Sequence, residues 1–196
     1  MKLKYNAPVT FSFALISLFI LVIDQYLFPG LIGGFFSAPG ADFNPSQATH
    51  YTGLLFHVFG HQNWTHLWNN FLFIFLLGPI LEEKYAPKPL LFMMASTALV
   101  SGIFNILLRQ PTLVGASSIV FMMIMLVSFA RTKPGEIPLS FILIFVLYLL
   151  SELTAGVSGE NPGVSNTAHI VGGICGVIFG FMKMIPKESA SSPPPA

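Results

Sequence analysis

The sequence predicts an all-α protein that crosses a membrane six times, with a long interfacial loop between the first two transmembrane helices. Of its 196 residues, 54% are hydrophobic and only 9% are charged, whereas a typical soluble domain is about 25% charged. The mean hydropathy is +0.74. A helix needs roughly 20 apolar residues to cross a bilayer. Six apolar segments approach that length, at residues 9–29, 64–81, 89–108, 116–130, 138–155 and 168–185.

The segments also define the expected domain organisation. The first apolar stretch is longer than a signal-peptide core and has no small-residue cleavage site, so we interpret it as a retained span. Residues 30–63 are too apolar for a solvated loop, which predicts short helices lying in the membrane interface. We therefore expect a short N-terminal segment (1–8), a membrane domain (9–185) and a disordered Ser/Pro-rich tail (186–196).

The distribution of basic residues predicts the orientation. Six spans place both termini on one side, and of the nine Lys and Arg residues only Arg109 falls on the other side. Cytoplasmic loops are rich in Lys and Arg, so both termini should be cytoplasmic, as in a prokaryotic plasma membrane. A net charge of +1 gives no electrostatic basis for binding nucleic acid. The single cysteine, Cys175, excludes an intramolecular disulfide.

Polar side chains inside spans are expensive and therefore mark functional sites. The predicted topology brings His66 with Asn70, Ser117 and His169 to the same depth, near the outer ends of spans two, four and six. Each of these residues has a simpler explanation when it is considered alone. A serine near a helix start, for example, commonly caps the helix. However, His169 is followed by glycines on one helical face, which allows another helix to approach closely. These glycines are Gly172, Gly173, Gly176 and Gly180.

A serine and an imidazole on two closely packed helices form a nucleophile and its base. No carboxylate has a spacing that points to His169, so we expect a Ser117–His169 dyad whose imidazole is oriented by neighbours such as Asn166. Acyl chemistry also needs donors for the oxyanion. His66 and Asn70 share one helical face and supply two donors, and the Ser117 N–H supplies a third. Asn69 is a weaker alternative to Asn70.

These residues form three motifs: His57-x-x-x-His61-x-x-x-x-His66-x-x-x-Asn70, Gly115-x-Ser117 and Ala168-His169-x-x-Gly172. Across residues 50–182 the chain resembles the rhomboid intramembrane proteases. The resemblance implies cofactor-free hydrolysis of a peptide bond in or near the transmembrane segment of another membrane protein. It also implies that the fifth span and residues 156–166 form a gate and cap. Rhomboid proteases usually have Gly after the nucleophile; Ser118 occupies that position here, where it would tighten the packing or offer a decoy nucleophile.

Two other functions remain open from the sequence. An inactive rhomboid-like protein would bind membrane segments without cutting them, although such relatives usually lose the serine or the histidine. A metal or ion-transport site is the second alternative, because His57, His61 and His66 have spacings that can chelate zinc. No Cys, Asp or Glu completes that ligand set, and the inverted repeats of a transporter are not evident.

Overall fold

The computed structural model describes residues 5–130, 136–158 and 166–184. Its named elements are all helical, and they include one 3-10 turn at His57–Phe59. One isolated antiparallel bridge joins Ala38 to Leu113. The helices are α1 (Pro8–Tyr26), α2 (Leu31–Phe35), α3 (Ala48–Phe56), α4 (Trp64–Tyr85), α5 (Pro87–Leu107), α6 (Ser117–Ser128), α7 (Leu139–Ser158) and α8 (Asn166–Met184).

The all-α prediction is confirmed, and six of these helices occupy the six predicted apolar segments. Within the described residues, α1, α4 and α5 are long and apolar enough to cross a membrane, so the chain is an integral membrane protein. Helix α6 and the apolar part of α8, Thr167–Met182, are shorter; six crossings remain a prediction. The predicted interfacial loop does contain short helices, α2 and α3. The predicted tail and most of the predicted cap loop lie outside the described residues.

Helix α6 is the central helix of the bundle. It contacts α4, α5, α7 and α8, and its most extensive contact is with α8. Its fully buried side chains cover more than half of its circumference, and the remaining face, with Ser117, Phe121, Ile124 and Ser128, is half-buried. The outer surfaces of α1, α4 and α5 instead expose large apolar side chains, including Phe11, Leu72 and Phe92. These surfaces face the lipid in an integral membrane protein.

At the end of the bundle away from Ser117, Glu82 of α4 caps the first turn of α1. Its carboxylate oxygens accept hydrogen bonds from the Val9 N–H (2.8 Å), the Thr10 N–H (3.0 Å) and the Thr10 hydroxyl (2.9 Å). The first N–H groups of a helix have no partner within the helix, and they attract negative charge. A β-carbon at Gly78 would lie 2.6 Å from Thr10 Oγ1. Glu82 and Gly78 therefore hold α1 directly against α4.

The turn between α4 and α5 contains a strained alanine. Ala86 has φ 66° and ψ 160°, a combination that is essentially restricted to glycine and costs about 1–3 kcal/mol in other residues. Replacing Ala86 by glycine removes this strain but increases the entropy of the unfolded chain. We expect Ala86→Gly to raise stability by about 1 kcal/mol, measured as a higher midpoint of thermal denaturation in detergent.

The matched control is Ala95→Gly in the interior of α5, where the same change should lower stability by about 1 kcal/mol. If both variants lowered the denaturation midpoint equally, the positive φ at Ala86 would not be a source of strain.

Candidate active site

Ser117 is the first residue of α6 and is half-buried. Gly115, two residues earlier, has φ +118°, and a β-carbon there would lie 2.5 Å from Cε1 and 2.6 Å from Nε2 of His66. Both the backbone conformation and the imidazole therefore require glycine. The first helical bond of α6 runs from the Val120 N–H to the Ala116 oxygen (3.0 Å). The Ser117 N–H precedes that bond, so the helix ladder does not use it.

The predicted glycine seam packs α8 against α6. A β-carbon at Gly172 would collide with the Ser118 carbonyl oxygen and lie 2.8 Å from its carbon. Gly176 faces the Met122 carbonyl oxygen and Met125 Cβ in the same way, and Gly180 faces the ring of Phe129. These three glycines, four residues apart, let the two helices approach to backbone contact.

The seam places His169 beside the first turns of α6. His169 lies one turn before Gly172 and is 9% exposed. Its imidazole packs on the ring of Phe121, with 4.3 Å between ring centroids and 36° between the planes. Phe121 is four residues after Ser117, so both lie on the same face of α6. Phe121 was not among the predicted site residues, although its i+4 spacing from Ser117 was a usable indication.

His66 and Asn70 lie one turn apart on α4, and the His66 ring lies against Gly115, two residues before Ser117. Asn70 is 6% exposed, and its Nδ2 has no hydrogen-bond partner among the described residues. The same is true of His66 Nδ1. Buried polar groups are normally paired, so these atoms remain available to a ligand or to water. Asn70 Nδ2 can only donate, which suits an oxyanion.

His57 and His61 support the site from the segment before α4. His57 is fully buried, its Nδ1 lies 3.1 Å from the Gly53 oxygen, and its backbone oxygen accepts the Gly115 N–H at 3.0 Å. His61 Nδ1 lies 3.3 Å from the Phe59 oxygen, and the ring contacts His66 edge-on with centroids 5.1 Å apart. These contacts explain the histidine spacing without a metal. Burial lowers the pKa of His57 to about 4 and that of His61 to about 3.

The two lowered pKa values predict acid sensitivity. Above pH 6.5 both imidazoles are neutral whether the chain is folded or unfolded, so they add no pH dependence. As the pH falls below 6.5, the unfolded chain takes up protons first, and stability falls until the pH reaches the folded pKa. For His57 the full loss is about 3 kcal/mol. We expect the thermal midpoint in detergent to fall between pH 6.5 and 4, and to fall less steeply in His57→Gln. If the thermal midpoint fell equally steeply with pH in the wild type and in His57→Gln, protonation of His57 would not be the cause of the acid sensitivity.

Two loops that are distant in sequence are joined next to Ser117. The Ala38 N–H donates to the Leu113 oxygen and the Leu113 N–H to the Ala38 oxygen, both at 2.8 Å. Asn105 Nδ2, buried at the end of α5, donates to the backbone oxygens of Pro39 (3.1 Å) and Pro111 (2.9 Å). The segment between α2 and α3 therefore fixes the backbone that leads to Ser117. In the sequence Asn105 is marked only as a polar residue inside the predicted span 89–108, and its two partners were not predicted.

The remaining predicted site residues have mixed outcomes. Ser118 is 1% exposed and its carbonyl lies against Gly172 in the glycine seam, which is the close packing expected there; its role as a decoy nucleophile stays a prediction. Gly173 is buried beside Gly172. Asn166 begins α8, three residues before His169, but its side chain lies outside the described part of the chain. Within residues 5–130, 136–158 and 166–184, no group of three or more His, Cys, Asp or Glu side chains could hold a metal ion.

Comparison with known proteins agrees with this architecture. The family model described as the rhomboid domain matches residues 47–185, which include every residue of the candidate site. A comparison with curated proteins finds no match. The matched residues extend from α3 through α8, most of the chain. The chain therefore belongs to the rhomboid family.

Proposed function

We propose that this protein is an active intramembrane serine protease that cleaves other membrane proteins in or near their transmembrane segments. The observation that carries the proposal is the contact between α6 and α8. Gly172 rests on the Ser118 carbonyl, and the His169 imidazole rests on Phe121. This contact supports a base next to the half-buried serine that begins α6, which is the arrangement that a serine nucleophile needs.

The proposed mechanism has two steps. Ser117 Oγ attacks the substrate carbonyl carbon, and His169 takes the hydroxyl proton and returns it to the departing amine. The resulting acyl-enzyme is hydrolysed by a water that His169 activates in turn. The oxyanion in each step accepts hydrogen bonds from the Ser117 N–H, Asn70 Nδ2 and His66. His61 and Gly115 position His66, and Asn166 is proposed to orient His169.

Membrane placement follows from helix lengths and charge. With 12 residues, α6 is about 18 Å long, shorter than the roughly 30 Å bilayer core. Ser117 therefore lies below one membrane surface if the other end of α6 reaches the opposite surface. We propose six crossings, cytoplasmic termini in a prokaryotic plasma membrane, an active site open to the outer side and a gate formed by α7 and the following loop. The expected partners are the lipid bilayer and transmembrane substrates, without a cofactor.

The proposal is tested by reconstituting the purified protein in vesicles with a tagged single-span substrate. We expect a defined cleavage product, formed at the same rate with and without EDTA. A rate that falls with EDTA and recovers with zinc would favour the metal alternative. Binding of the substrate without any product would favour an inactive rhomboid-like protein instead.

A further inference from the structure

A polar cavity of about 210 Å³ lies beside the loop that leads to Ser117. It is formed between the α2–α3 segment and Thr112, and we call it the Asp42 pocket. Pockets for drug-sized ligands measure about 300–1,000 Å³. The Asp42 pocket is smaller than these and can hold a single long side chain. Its polar lining residues are Ser37, Asp42, Gln47, Thr49, His50 and Thr112.

The pocket offers acceptors to a cation. Asp42 Oδ1 accepts the Gly40 N–H at 2.9 Å, and Asp42 forms no ion pair with any other residue that the structure describes. The Ser37 hydroxyl donates to the Gly33 oxygen at 2.8 Å, which leaves its own lone pairs free to accept. A carboxylate next to a hydroxyl oxygen suits the ammonium group of lysine or the guanidinium group of arginine.

The position of the pocket relates it to the substrate path. Thr112 precedes Ser117 by five residues, and the Ala38–Leu113 pairing and Asn105 fix the loop between them. An extended chain advances about 3.3 Å per residue. Five residues span at most about 18 Å, so a substrate whose scissile bond lies at Ser117 can reach the pocket with a residue about five positions away or fewer. The pocket lies in the α2–α3 segment, which is predicted to lie in the membrane interface, and under the proposed function this assigns that residue to the part of the substrate outside the membrane.

We infer that the Asp42 pocket is a specificity subsite for a lysine or arginine in the extramembrane segment of the substrate, next to its cleaved bond. The inference rests on the proposed protease function and adds a substrate preference to it. A basic side chain there forms a charge-assisted bond with Asp42 and holds the substrate in register with Ser117.

The test uses one single-span substrate with Lys, Gln or Glu placed in turn three to seven residues outward from the cleaved bond. We expect wild type to prefer Lys to Gln by about three- to fivefold in kcat/KM, at one or two neighbouring positions. Asp42→Asn should lose this preference while keeping the bond from Gly40, because an amide oxygen also accepts. Asp42→Lys should prefer Glu. The control Glu83→Gln removes an exposed carboxylate at the other end of the bundle and should keep the Lys preference.

Binding of the same Lys, Gln and Glu substrates to the Ser117→Ala protein, measured by fluorescence anisotropy in detergent, separates this inference from the protease function. A Lys preference in binding that Asp42→Asn abolishes supports the subsite even if the wild type cleaves nothing, and in that case only the proposed protease function fails. If Asp42→Asn weakens the binding of all three substrates equally, or if no position shows a charge preference, the subsite is overturned whatever the cleavage rate.

Discussion

Replacing Ser117 by alanine should lower the rate of substrate cleavage by at least about a thousandfold, because no other hydroxyl occupies its position. Ser117 begins α6, is half-buried and follows a glycine whose conformation sets its approach to His66. His169→Ala should reduce the rate to a similar extent, because the serine hydroxyl is a weak nucleophile without a base. Both rates would be measured with the reconstituted single-span substrate, on protein shown to be folded by its thermal midpoint.

The matched control is Ser118→Ala, one residue further along. Ser118 is 1% exposed, and its Oγ has no hydrogen-bond partner among the described residues. Removing such a hydroxyl should leave cleavage within about twofold of wild type and should not lower stability. The opposite pattern, in which Ser117→Ala still cleaves and Ser118→Ala does not, would reassign the nucleophile.

Gly172→Ala should reduce cleavage by about a hundredfold, because misplacing a catalytic group by about 1 Å costs that much. The new β-carbon would collide with the Ser118 carbonyl, so α8 must move away from α6 and take His169 with it. Gly172→Leu adds a larger side chain at the same contact. Since overpacking costs about 1–3 kcal/mol even when smaller groups are added, this variant should fail to fold. Cleavage assays combined with thermal denaturation in detergent separate the two effects.

Ile174→Ala, two residues further along α8, is the control for a substitution on the same helix. Ile174 is 51% exposed, so activity should remain as in the wild type and stability should change by no more than about 0.5 kcal/mol. If Gly172→Ala behaved like Ile174→Ala, the close contact between α6 and α8 would not determine the position of His169.

Repetitive patterns in the sequence predicted most of the fold. Apolar segments marked the positions of six helices, α1 and α4 to α8, because hydropathy is a local property of the sequence. The spacing of Gly172, Gly176 and Gly180 predicted a helix contact because every fourth residue of a helix lies on one face. The helix that packs on these glycines is α6. It was predicted as their partner only because the distribution of Lys and Arg residues placed Ser117 at the same membrane depth as His169.

Contacts between distant, non-repeating residues could not be predicted in this way. Glu82 lies more than 70 residues from the α1 backbone that it caps, and an acidic residue at a helix end looks the same whether or not it caps another helix. The bonds from Asn105 to Pro39 and Pro111 likewise depend on how two irregular loops fold. No periodicity marks such pairs, so only the assembled structure reveals them.

The central claim is that Ser117 is a nucleophile activated by His169. The most direct measurement is labelling of the detergent-solubilised protein with a fluorophosphonate, followed by mass-spectrometric mapping of the modified residue. The account predicts one adduct, on Ser117 Oγ, that is lost in Ser117→Ala and strongly reduced in His169→Ala. An adduct on Ser118, or equal labelling of Ser117 with and without His169, would contradict it.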